Sequence, residues 1–134
     1  MSTQDNLDLV TALYSAFTGG DLAAILDALG EDVEWYHPPH SEIPWGGRRR
    51  GKQEVAQFFA SLGTLLDVEQ FDVKHMCAID DRVIVLGHEQ MRVKRTGFSF
   101  AVDWAHSFTL RAGKVVAYHE YTETAPMVEA LRQN

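Results

Sequence analysis

Leu7, Val10, Leu13, Tyr14 and Phe17 recur at spacings of three and four near the start of the chain. This periodicity predicts an amphipathic helix over Thr3–Thr18, with Ser2 and Thr3 as candidate caps and Gly19-Gly20 as its stop. Asp21 is placed to cap a shorter helix through Leu22, Ile25, Leu26 and Leu29, with Gly30 as its C-terminal cap. Residues 32–37, Asp-Val-Glu-Trp-Tyr-His, alternate in polarity, so Val33, Trp35 and His37 share one face of a strand. Pro38-Pro39 lack amide donors and end it. The stretch up to Gly51, rich in Pro, Gly and Arg, reads as a loop with Ile43 and Trp45 as apolar anchors. A third helix fits Lys52 to Leu66, with Val55, Phe58, Phe59, Leu62 and Leu66 along one stripe.

After Asp67 the period shortens to two, which predicts strands over about 68–79, 82–94, 98–111 and 114–122. Asp80-Asp81, Arg95-Thr96-Gly97 and Arg111-Ala112-Gly113 supply turn chemistry between them and favour antiparallel hairpins. A short helix from Pro126 to Arg132 follows. Helices first and strands last imply an α+β fold: one domain over 1–134, with helices on one side of a curved, mainly antiparallel sheet.

Composition narrows the class. The 134 residues are 46% apolar and 23% charged, enough for one self-sufficient core. No apolar run approaches the roughly 20 residues that span a bilayer. A net charge of −7 disfavours general nucleic-acid binding, which rests on phosphate neutralisation. The lone Cys77 and the lack of a basic segment followed by an apolar one at the start imply a cytoplasmic protein. The six His residues are scattered and no His-Glu-x-x-His motif occurs, so neither a metal nor another cofactor is expected. Arg48-Arg49-Arg50-Gly51-Lys52 is either an anion-holding loop at a helix start or a solvated run paired with surface acids.

Chemistry concentrates on the strand over 98–111. Alternation turns Phe100, Val102, Trp104, His106, Phe108 and Leu110 to the covered face, and His106 is the one polar member. Such a His is either a core residue hydrogen-bonded to a Tyr or carbonyl, or a pocket residue. A three-residue turn at Arg111-Ala112-Gly113 pairs Leu110 with Lys114, His106 with Tyr118 and Trp104 with Glu120, and sends Val116, Tyr118, Glu120 and Thr122 inward. A two-residue turn sends Val115, Ala117, His119, Tyr121 and Glu123 inward instead. Either register brings a Tyr and a carboxylate near His106, a combination suited to proton transfer. Tyr14 on the first helix and His37 at a strand end are further polar candidates.

The passages Val33-Glu34-Trp35-Tyr36-His37-Pro38, Gly47 to Phe59 (GRRRGKQEVAQFF), Trp104-Ala105-His106-Ser107-Phe108 and His119 to Ala125 (HEYTETA) resemble the SnoaL-like branch of the nuclear transport factor 2-like superfamily. That group includes ketosteroid isomerases, polyketide cyclases and limonene epoxide hydrolases. The resemblance implies a cone: a strongly curved mixed sheet wrapped around helices, an apolar pocket between them, and a homodimer through the sheet. It places His106 where a ketosteroid isomerase has an oxyanion-binding Asp, and makes Tyr14 a rough match to the Tyr donor. The isomerase base falls at Trp35 or His37, so the missing Asp argues against steroid isomerisation as such. Glu120 matches the acid or base of SnoaL-like cyclases on the last strand, with Glu123 as a second candidate.

The expectation is therefore a cofactor-free acid–base enzyme for isomerisation, cyclisation or dehydration of a small hydrophobic carbonyl compound. His106, Glu120, His37 and Tyr14 are its catalytic candidates, and Trp35, Trp45, Phe59, Met91, Trp104 and Tyr118 its substrate walls. A non-catalytic ligand-binding or dimerisation domain of the same fold is the alternative.

Overall fold

The computed structural model describes residues 2–134. Helix α1 spans Thr3–Thr18 and α2 spans Leu22–Asp27; β1 (Leu29–His37) and β2 (Gly47–Arg50) precede α3 (Lys52–Leu65). Strands β3 (Leu66–Ile79), β4 (Arg82–Val93), β5 (Ser99–Arg111) and β6 (Lys114–Thr122) follow, and α4 (Ala125–Leu131) comes last. The strands form a six-stranded sheet in the order β2-β1-β6-β5-β4-β3. All pairings are antiparallel except β1 with β6, so the sheet is mixed and mainly antiparallel. Helix α1 packs on β3 and β4, and α3 on β1 and β2, which leaves the concave face of the sheet looking at helices.

Local chemistry explains the helix starts. Ser2 and Asp5 form a reciprocal capping box, with the Asp5 amide donating to Ser2 Oγ at 3.0 Å and the Ser2 amide to Asp5 Oδ2 at 3.1 Å. Asp21 caps α2 by accepting from the Ala24 amide at 3.1 Å. The second helix stops at Asp27, however, and Leu29 and Gly30 open β1 instead of closing the helix. The competing force is the sheet: the Val115 amide donates to Ala28 O at 2.9 Å and Leu29 pairs with Val115. The loop expected before α3 also contains an edge strand, in which Gly47 to Arg50 pair with His37 back to Glu34. Its Arg run is spread over a surface: Arg48 lies over the Tyr36 ring, Arg49 donates to Trp45 O at 2.9 Å, and Lys52 faces Glu31 at 3.5 Å.

The last hairpin departs from the expected pairing. Its turn is the two-residue Ala112-Gly113, with φ of 51° and 76°, and joins Arg111 to Lys114. Thr109 then faces Ala117 while Leu110 faces Val115, which leaves Val116 as an extra residue in β6. This bulge restores the face that the turn alone would have reversed. Val115, Tyr118 and Glu120 are all buried, and Tyr121 is 57% exposed. The pairs are Phe108 with Tyr118, His106 with Glu120 and Trp104 with Thr122, each two residues away from the three-residue-turn register.

Candidate active site

Three neighbouring strands bring the polar side chains together. His37 is the last inward residue of β1, Glu120 lies inward on β6, and His106 sits directly opposite Glu120 on β5. All three are buried within a mostly apolar core. Pairing of β1 with β6 is essential here, because it sets Trp35 beside Tyr118 and so brings His37 within reach of Glu120.

Glu120 is the centre of the cluster. Tyr118 donates its hydroxyl to Oε1 at 2.8 Å; Nε2 of His106 lies 3.4 Å from the same oxygen, and Nε2 of His37 lies 3.6 Å from Oε2. Burial alone would raise the Glu120 carboxyl. The close polar contact and charge of His106, the charge of His37 and the Tyr118 hydroxyl outweigh it and hold the group below the usual carboxylate range. His37 donates from Nδ1 to Pro38 O at 3.0 Å, so in its neutral form the lone pair is on Nε2, the nitrogen beside Glu120. His106 Nδ1 is 2.7 Å from the hydroxyl of Tyr14, which α1 carries across the cavity. Tyr14 stays protonated, since burial and then the Glu120 charge both raise it.

Around this cluster lies a cavity of about 80 Å³. Trp35, Trp45, Phe59, Met91 and Tyr118 line it, together with His37, Tyr14, His106 and Glu120. Trp104 does not. Its ring is stacked against His106 at 3.9 Å and 9°, and against Phe71 at 5.3 Å, so it supports the imidazole instead of forming a wall. Gly87 makes that position accessible, because a Cβ there would fall 2.2 Å from the Trp104 ring.

Among the lining residues outside the candidate set, Glu89 is the charged one. Glu89 is 9% exposed and points inward from β4. Burial pushes its carboxyl up to about 8, with the negative charge of Glu120 adding to the effect. The signal was present in the sequence: Val83, Val85, Gly87, Glu89, Met91 and Val93 occupy one face by alternation, and Glu89 is the charged residue among them. Among the described residues, no group of three or more His, Cys, Asp or Glu side chains is placed to hold a metal ion, and no helix is long and apolar enough to cross a membrane.

A curved mixed sheet closed over N-terminal helices, with polar groups converging on an internal apolar cavity, is the nuclear transport factor 2-like architecture. Within it, the SnoaL-like domain family matches residues 10–118, and the chain belongs to that family. An NTF2-like protein of Burkholderia xenovorans is 30% identical, with a TM-score of 0.90 over 98% of this chain and 99% of that one. An NTF2-like protein of Burkholderia thailandensis is 28% identical, with a TM-score of 0.86 and coverage of 98% and 99%. TerC, crystallised with polyporic acid, is 27% identical, with a TM-score of 0.86 over 96% of this chain and 99% of that one.

Proposed function

We propose that this protein is a cofactor-free enzyme that moves a proton on a small, apolar carbonyl compound held in the cavity. The observation that carries the reading is the convergence of His37 and His106, from two strands, on opposite oxygens of the single buried carboxylate of Glu120. In the step this arrangement suits, Nε2 of neutral His37 removes a proton alpha to the carbonyl. Electrons of the C–H bond pass to the carbonyl oxygen, where Tyr14, its hydroxyl oxygen held by Nδ1 of His106, donates to the developing enolate. Glu120 offsets the positive charge that forms on the imidazole. Isomerisation, aldol-type cyclisation and dehydration all begin this way. That a similar chain, TerC, was crystallised with a small organic molecule supports a ligand in this fold.

Proton exchange tests the reading without knowledge of the product. A panel of small ketones, enones and aromatic polyketide mimics in D₂O is followed by NMR for loss of alpha-proton signal. Exchange faster than buffer, abolished by His37→Ala and His106→Ala, is the expected result. Exchange no faster than buffer across the panel overturns the catalytic reading.

The crowding of the cavity by aromatic rings favours a second reading, a non-catalytic binder of a small hydrophobic molecule. That protein would be stabilised by the same compounds without exchanging their protons. The proposal also keeps the homodimer, which the exposed Val68, Val73, Leu86 and Tyr121 support. Light scattering on the purified chain decides the oligomeric state.

A further inference from the structure

Every inward titratable group of the cavity but one has a partner within the protein. Tyr14 meets His106, His106 and His37 meet Glu120, and Tyr118 donates to Glu120. Glu89 is the exception: its carboxyl has no hydrogen bond or ion pair to any described residue, although it is buried and lines the cavity. A buried polar group without a partner is unfavourable and needs a reason. Packing does not provide one, since the positions of the same face of β4 on either side take Val83, Val85, Met91 and Val93.

Resting on the reading of this cavity as a substrate site, we infer that Glu89 is a substrate-contacting residue: a neutral carboxylic acid that donates its O–H to a carbonyl or enol oxygen of the bound molecule. Neutrality follows from its surroundings. The titratable groups that share the cavity with it are Glu120 and Tyr118 on β6, His106 on β5, His37 on β1 and Tyr14 on α1, and no Lys or Arg is among the lining residues. The two imidazoles are already committed to Glu120, so Glu89 has no cation to favour its charged form. The cavity thus holds two unlike carboxyls, one ionised between imidazoles and one protonated against an apolar wall. The first suits stabilising a cation formed during proton transfer. The second suits only an oxygen acceptor, which selects ketones, enones and enols over amines as ligands.

Binding of 1-indanone, a flat ketone that does not titrate, tests this by quenching of the fluorescence of Trp35 and Trp45 between pH 6 and 9. Wild-type affinity is expected to be level at low pH and to fall about tenfold per unit above pH 8, where Glu89 loses its proton. Glu89→Gln, which keeps a donor, is expected to bind without that fall. Glu89→Leu is expected to bind at least tenfold more weakly at pH 6, with its fold checked by circular dichroism. Equal affinity and equal pH profiles for wild type and Glu89→Leu overturn the role of Glu89 while leaving the site itself standing. Tighter binding of 1-aminoindane than of the ketone above pH 8 overturns the donor assignment. Absence of ketone binding to the wild type at every pH removes both this inference and the functional reading beneath it.

Discussion

The hydroxyl of Tyr14 lies 2.7 Å from Nδ1 of His106, and the two ring planes are nearly parallel at 7°. This contact joins the first helix to the centre of the sheet and orients the imidazole so that Nε2 faces Glu120. Tyr14→Phe removes the hydrogen bond and keeps the ring. Its expected cost is about 1 kcal/mol of stability, with a loss of about 10²-fold in turnover. Denaturant titration and alpha-proton exchange measure the two, and an unchanged exchange rate would place the hydroxyl outside the reaction.

Glu120→Gln keeps the shape and the Tyr118 contact but leaves both imidazoles without their carboxylate. Because the group is buried, the variant is expected to lose about 3 kcal/mol, the low end for breaking a buried charged cluster, given contacts of 3.4 and 3.6 Å. Turnover should fall by about 10²–10⁴. A variant as stable and active as the parent would mean that Glu120 is not charged in the folded protein.

Glu89 makes stability depend on pH with a definite sign. Its folded value is raised to about 8, above the ordinary 4.5, so between those values the folded chain holds a proton that the unfolded chain has released. Its contribution is complete below pH 4.5 and lost as pH rises through 8. Wild-type stability should therefore decline by up to about 1.4 kcal/mol per pH unit over that window. Urea titrations at successive pH values should show the decline flattened in Glu89→Gln, and parallel curves would contradict it.

Gly87→Ala places a methyl group 2.2 Å from Cζ2 of Trp104 and 2.5 Å from the carbonyl of Asp72. The indole must move, and with it the surface on which His106 is stacked. A loss of about 1–3 kcal/mol is expected, as for overpacking elsewhere in protein cores. A shift in Trp emission and a drop in turnover should accompany it. Unchanged turnover would show that His106 keeps its place without Trp104.

Much of this arrangement is legible in the sequence, for physical reasons that differ by element. Strong periodicity marks α1, α3, β4 and β5, because each has one face against the core. Alternation of polar and apolar residues by itself turns Trp35 and His106 inward, and both are buried. Gly30 misleads because glycine serves equally at a helix cap and where a strand runs close to its neighbour; a Cβ there would touch Val116 at 3.4 Å. The short β2 hides in its Arg-rich sequence because an edge strand buries little. Register in β6 depends on the Val116 bulge, which compensates a turn length that alone points Glu120 outward. Glu89 escapes notice for a related reason: alternation marks its face, but only the assembled cavity shows that nothing on that face answers it.

The parallel pair of β1 with β6 has a kinetic meaning. Leu29 and Val115 come from distant parts of the chain, so closing that seam carries a large loop entropy, and contacts of such separation form slowly. Glu120 lies on the strand that closes it. A chain with β3 to β6 zipped through their hairpins would carry His106 and Glu120 on one wall but not His37, which β1 brings when the seam closes. Completion of the site thus depends on that long-range contact, and the stacking of Trp35 on Tyr118, 3.9 Å apart across the seam, offers an intrinsic optical clock for its formation.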